Sequence, residues 1–141
     1  LMPRNYLTNL ELVILNTARY FGVNVEQRKE WNPTTEKPYR TVWYTNGDKR
    51  YVLATKGIAI KDRVTYHGFA FYVNKGEEHF DLINPCGFNK EEISPITMEE
   101  ILGKKLDMKE VKNKVIENFV KIFGYNNYSQ FKSKQLIEAL S

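Results

Sequence analysis

The stretch from Tyr39 to Ile83 constrains this chain most, because runs of β-branched and aromatic residues alternate there with glycine-containing turn signals. Asn46-Gly47, Lys56-Gly57, His67-Gly68 and Lys75-Gly76 predict five short strands joined as an antiparallel meander. Two-residue turns set Trp43 opposite Arg50, Leu53 opposite Ile60, Val64 opposite Phe71, and Phe71 opposite Phe80. Alternate residues of a strand face opposite sides of the sheet, so parity divides the segment into two faces. One face is apolar: Val42, Tyr44, Tyr51, Leu53, Ile58, Ile60, Val64, Tyr66, Phe69, Phe71, Val73, Phe80 and Leu82. The other carries Thr41, Trp43, Arg50, Lys61, Arg63, Thr65, Tyr72, Asn74, His79 and Asp81. Widening a turn by two residues leaves these assignments unchanged.

Helical patterning flanks the meander. Leu10, Val13, Ile14, Ala18 and Phe21 keep helical spacing within residues 7–22, Thr8 and Glu11 have capping-box spacing, and Gly22 ends the run. Val23 to Val25 reads as extended and Glu26 to Pro38 as a polar loop around Trp31. Residues 97–141 read as a helical segment. Thr97 with Glu100 and Asp107 with Glu110 repeat the capping spacing, with Ile96/Ile101 and Leu106/Val111 as staples and Gly103 and Gly124 as stops. A last helix would bury Phe131, Leu136, Ile137 and Leu140. The expected architecture is one α+β domain over 1–141: an N-terminal helix, a five-stranded meander at 39–83, and C-terminal helices on its apolar face.

At 141 residues the chain can bury a core of ordinary size. Leu1-Met2 reads as a cloning remnant before a native start, without a signal peptide. The lone Cys86 excludes an internal disulfide and suits a reducing, cytoplasmic setting. A net charge of +4 is compatible with an anionic partner. Abundant Phe, Tyr, Met, Ile, Asn and Lys suggests an AT-rich genome, such as that of a low-GC bacterium, its phage or another mobile element.

The second sheet face carries the leading functional expectation. Trp43 and Tyr72 offer aromatic planes beside Arg50, Lys61 and Arg63, a combination that suits stacked bases and phosphates. The expected function is therefore a small non-enzymatic protein binding single-stranded nucleic acid, a nucleotide or another anionic ligand. A protein-binding inhibitor or adaptor using the same face is the alternative. A hydrolase or nuclease built on His79, Asp81 and His67 is weaker, because two residues along a strand are nearly 7 Å apart. Cys86 reads as an incidental turn cysteine, and the histidines, Asp81 and Cys86 match no metal-ligand spacing. No cofactor motif and no membrane span is expected. Lys104, Lys105, Lys109, Lys112, Lys114, Lys121, Lys132 and Lys134 read as a solvated helix surface, with Glu110/Lys114 and Glu117/Lys121 as ion pairs.

Overall fold

The computed structural model describes residues 3–32, 36–76, 93–126 and 128–129. Helix α1 spans Pro3–Tyr20. It starts with proline, whose fixed φ and missing N–H suit a first turn, so Thr8 lies within the helix rather than capping it. Leu10, Val13, Ile14 and Ala18 are buried as their spacing predicts, and Leu15, Glu11 and Thr17 are buried as well. The buried stripe is wide because α1 packs against α3 on one flank and against strands of both sheets on the other.

The strands are β1 (Glu26–Asn32), β2 (Lys37–Asn46), β3 (Lys49–Val52), β4 (Ala54–Lys61), β5 (Val64–Phe71) and β6 (Ile93–Pro95). One sheet has the order β1-β2-β3-β6, its last pair parallel; β4 and β5 form a separate two-stranded sheet. The α+β class holds, but the strands do not form one meander. The expected polar loop at 26–38 contains β1 and the start of β2. A strand at a sheet edge needs no apolar alternation, which hid β1 in the charged run from Glu26 to Glu30.

Of the expected turns, Asn46-Gly47 lies at the β2–β3 turn, with Gly47 at φ 63°. The register there places Trp43 opposite Val52, and Arg50 opposite Thr45, a shift of two that preserves the faces. Lys56-Gly57 and His67-Gly68 are not turns. Gly57 and Gly68 are cross-strand partners in the middle of a long hairpin that reverses at Asp62-Arg63, with φ of 51° and 65°. Two consecutive positive φ values match the twist of a tight hairpin, here without glycine. Because β5 runs straight through His67, Val64 and Tyr66 face away from Phe69 and Phe71. Val64 and Tyr66 are accordingly 64 and 45 % exposed instead of buried; Ile60, on the same face as Phe69 but near the hairpin tip, is 49 % exposed.

Leu53 makes the step between the sheets. Its N–H donates to the Val42 carbonyl and its own carbonyl accepts from Tyr72 N–H. The main core gathers around it: Ile14, Leu15, Ala18, Val23, Val25, Val42, Ala54, Val73, Met98, Leu106 and Val111.

The C-terminal helices follow their boundary signals. Helix α2 (Met98–Leu102) has the expected capping box: Glu100 N–H donates to Thr97 Oγ1 at 3.1 Å, and Thr97 N–H donates to Glu100 Oε2 at 2.9 Å. Helix α3 (Met108–Phe123) is capped by Asp107, which accepts from Lys109 N–H rather than forming a box with Glu110. Gly103 and Gly124 end the two helices in the left-handed conformation. Near its end, α3 stacks Phe119, Phe123 and Tyr125, and Phe123 meets Tyr6 of α1 at 5.0 Å. The expected last helix lies outside the described residues.

Candidate functional site

The least expected feature is a charged pair inside the molecule. Glu11 of α1 and Lys56 of β4 form an ion pair with 1 and 10 % of their side chains exposed. Gln27 of β1 donates through Nε2 to Glu11 Oε2, and to the Thr8 carbonyl at 3.3 Å. Isolated charges are costly to desolvate, so such a pair persists only when geometry and extra hydrogen bonds satisfy it. Among the described residues no buried side-chain nitrogen or oxygen lacks a partner. Sequence reasoning missed the pair because Glu11 was assigned to a capping box and Lys56 to a turn. The available signal was Glu11 inside the apolar stripe between Leu10 and Ile14.

Beside this pair lies an apolar cleft. Lys56 is the register partner of Phe69, and Ala54 that of Phe71, so all four side chains share one face of the β4–β5 ribbon. On that face β5 and α3 flank an open cleft of about 680 Å³, with Phe69, Phe71, Val73, Val111, Val115 and Ile116 as its apolar walls. That volume is in the range of small-molecule sites. Lysine 56 thus stands next to the cleft wall while its ammonium is held by Glu11.

The segment after β5 is strapped down. Tyr72 and Val73 carbonyls accept from Met98 and Glu99 N–H at the start of α2. Asn74 donates to the Leu106 carbonyl at 2.8 Å and accepts from Leu106 N–H at 2.9 Å. Lys75 N–H donates to Glu99 Oε2 at 2.6 Å. These bonds seat the start of α3 beside Val73.

The sequence-derived site residues do not share one face. Trp43 is fully buried and offers no plane for stacking. Arg50 lies on β3 in the larger sheet, whereas Lys61 and Arg63 stand exposed at the tip of the β4–β5 hairpin. Tyr72 is half-buried, its hydroxyl 3.4 Å from Thr55 Oγ1. The assumption of a single continuous sheet had brought the five together. His67 lies on β5 opposite Ile58; His79, Asp81 and Cys86 lie outside the described residues. Among the described residues no group of three His, Cys, Asp or Glu side chains could hold a metal ion.

Lys114 departs from its expected pairing with Glu110. Its ammonium bonds Glu117 at 3.1 Å and lies 3.9 Å from the centre of the Tyr20 ring. Lys132 and Lys134 are outside the described residues. No described helix is long and apolar enough to cross a membrane.

No family model matches the chain. It is similar to curated octanoyltransferases. It is 39 % identical over 105 residues to that of Caldicellulosiruptor saccharolyticus, covering 74 % of this chain and 41 % of the relative. With the enzyme of Dictyoglomus thermophilum it shares 33 % over 128 residues, or 91 % of this chain and 49 % of the relative. A probable octanoyltransferase of Pyrobaculum arsenaticum is 36 % identical over 115 residues, 82 % of this chain and 47 % of that protein. The chain thus spans about half the length of the curated relatives it matches.

This similarity overturns the expectation of a small non-enzymatic binding protein, because the relatives are enzymes. The ligand class falls with it: single-stranded nucleic acid, a nucleotide or another anion on a Trp43/Tyr72 face has no support from acyltransferases. The inhibitor or adaptor, the hydrolase or nuclease of His79, Asp81 and His67, and the phage or mobile-element origin are corrected by the same finding. A polar sheet face with aromatics is common to many folds, and chemistry common to many folds identifies none.

Proposed function

We propose that this chain is part of an enzyme that transfers an octanoyl group from an activated donor, such as a thioester, to an acceptor nucleophile. The similarity to octanoyltransferases over as much as 91 % of the chain carries this reading. An apolar cleft beside Phe69, the cross-strand partner of Lys56, supports it, since such a transfer needs apolar surface for the alkyl chain and a cation near the carbonyl.

The chemistry follows from the groups available. Attack on the acyl carbon pushes negative charge onto the carbonyl oxygen. Collapse then breaks the bond to the leaving thiol and completes the new acyl bond, and the nucleophile's proton passes to the departing sulfur. Lys56 stabilises the oxyanion, while Glu11 and Gln27 hold its side chain in place. Cys86, the only cysteine, is the strongest nucleophile available for a two-step route through an acyl-enzyme, and in an acyltransferase it is no longer an incidental residue. The lone cysteine also suits a reducing cytoplasm. We treat 1–141 as a single α+β unit of that enzyme.

The test uses octanoyl-coenzyme A as donor and hydroxylamine as acceptor. The wild-type chain should release free thiol and form octanoyl hydroxamate. Lys56→Met combined with Glu11→Leu, which leaves no stranded charge, should lower kcat by about 10²–10³, the usual loss for one oxyanion-stabilising group. Cys86→Ala should abolish any octanoyl adduct detected by mass spectrometry. No thioester consumption above the uncatalysed rate would discard the proposal.

A further inference from the structure

We infer that the outer face of the β4–β5 ribbon is the seam on which the half of an octanoyltransferase not spanned by this chain packs; this rests on the octanoyl-transfer reading above. Cross-strand pairing puts Gly57 with Gly68, Ala59 with Tyr66 and Lys61 with Val64 on that face. Lys56 and Phe69 lie on the opposite face, toward the cleft. Val64 and Tyr66 are large apolar side chains left exposed, and Lys61, Asp62 and Arg63 form a polar rim at the hairpin tip. An exposed apolar surface with a polar rim is the usual form of a protein interface.

Nothing within this chain calls for the two glycines. Both lie inside strands rather than at the reversal, and neither has positive φ. A Cβ at either position would meet no atom within 4 Å beyond its chain neighbours. Glycine weakens a strand interior, and its use there marks a place where another backbone comes close. A two-stranded ribbon also gains little stability by itself, and among the described residues β4 and β5 have no third strand beside them.

The extent of the chain points to the occupant. It spans 41 and 49 % of the Caldicellulosiruptor saccharolyticus and Dictyoglomus thermophilum enzymes, so about half of such an enzyme remains to be seated. Packing on the outer face leaves Lys56 and the cleft open, because they belong to the other side of the ribbon.

The experiment substitutes this chain for the matched 128 residues of the Dictyoglomus thermophilum enzyme and compares the chimera with the isolated chain by hydroxyl-radical footprinting. Interface cores pack like protein interiors, so labelling of Tyr66 should fall about fivefold in the chimera. Gly57→Val should leave the Tm of the isolated chain unchanged or raised, because valine favours strands, while lowering that of the chimera and restoring Tyr66 labelling. Equal labelling of Tyr66 in both proteins overturns the inference, as does a chimera that fails to fold while both parents fold. A fall in the Tm of the isolated Gly57→Val chain overturns it too, since the glycine would then serve this chain's own fold. Dimerisation of the isolated chain that Gly57→Val abolishes would give the face to a second copy instead. Octanoyl transfer with Tyr66 unprotected in the chimera removes the seam and leaves the proposed function standing. Protection of Tyr66 without octanoyl transfer by either protein keeps the seam and removes that function.

Discussion

Glu11 on α1 and Lys56 on β4 neutralise each other in a place almost closed to water, and Gln27 on β1 satisfies the second carboxylate oxygen. One interaction therefore ties the first helix to both sheets. Removing one partner strands the other charge. Glu11→Ala should cost about 3–5 kcal/mol in urea unfolding, and Glu11→Leu combined with Lys56→Met should recover most of that loss. Equal destabilisation in the single and double variants would show that the pair does not act as a unit.

The hairpin tip makes a second prediction. Asp62 and Arg63 both hold positive φ, which costs a side chain of L configuration about 1–2 kcal/mol relative to glycine. Arg63→Gly should therefore be neutral or stabilising by up to about 1 kcal/mol. Circular dichroism melts would record this as an unchanged or raised Tm. A clear fall in Tm would place the turn elsewhere.

Asn74 is the clasp between the segment after β5 and the α2–α3 loop. Asn74→Ala should cost about 1–3 kcal/mol, since it leaves the Leu106 amide and carbonyl to find new partners. Hydrogen exchange is the informative readout. The Leu106 amide should lose protection while amides in the middle of α1 keep theirs.

Lys114 should matter through Tyr20 more than through its carboxylate. Lys114→Ala is expected to cost about 1 kcal/mol, the scale of a partly desolvated cation–π contact. Glu117, exposed on the helix surface, should cost under about 0.5 kcal/mol when changed to alanine. Thermal or urea unfolding of the two variants separates the contributions, and the reverse order would assign the stabilisation to the salt bridge.

Much of the helical structure was legible locally. Thr97 and Glu100 announce α2, Asp107 and Gly124 bracket α3, and the spacing of Leu10, Val13, Ile14 and Ala18 marks the buried face of α1. Such signals are readable because capping and helical periodicity involve residues three or four apart. The α+β class follows from the same local evidence. The extra first turn of α1 needed only Pro3 to be read as an opening residue instead of Thr8 as a cap.

Which strands pair, and therefore which residues meet, was decided by tertiary structure. Lys56-Gly57 and His67-Gly68 have the composition of turns, yet in three dimensions Gly57 faces Gly68 across a continuous hairpin. Composition permits a turn at a glycine but does not require one; the pairing energy of the whole ribbon selects the reversal, at Asp62-Arg63. That choice separated Trp43 and Arg50 from Lys61 and Arg63. It also turned Lys56 inward, against a glutamate 45 positions earlier in the chain. Burial of a charge pair is a long-range property, because each partner is tolerable only where the fold supplies the other. The candidate site is built from that kind of relationship, which no window of neighbouring residues contains.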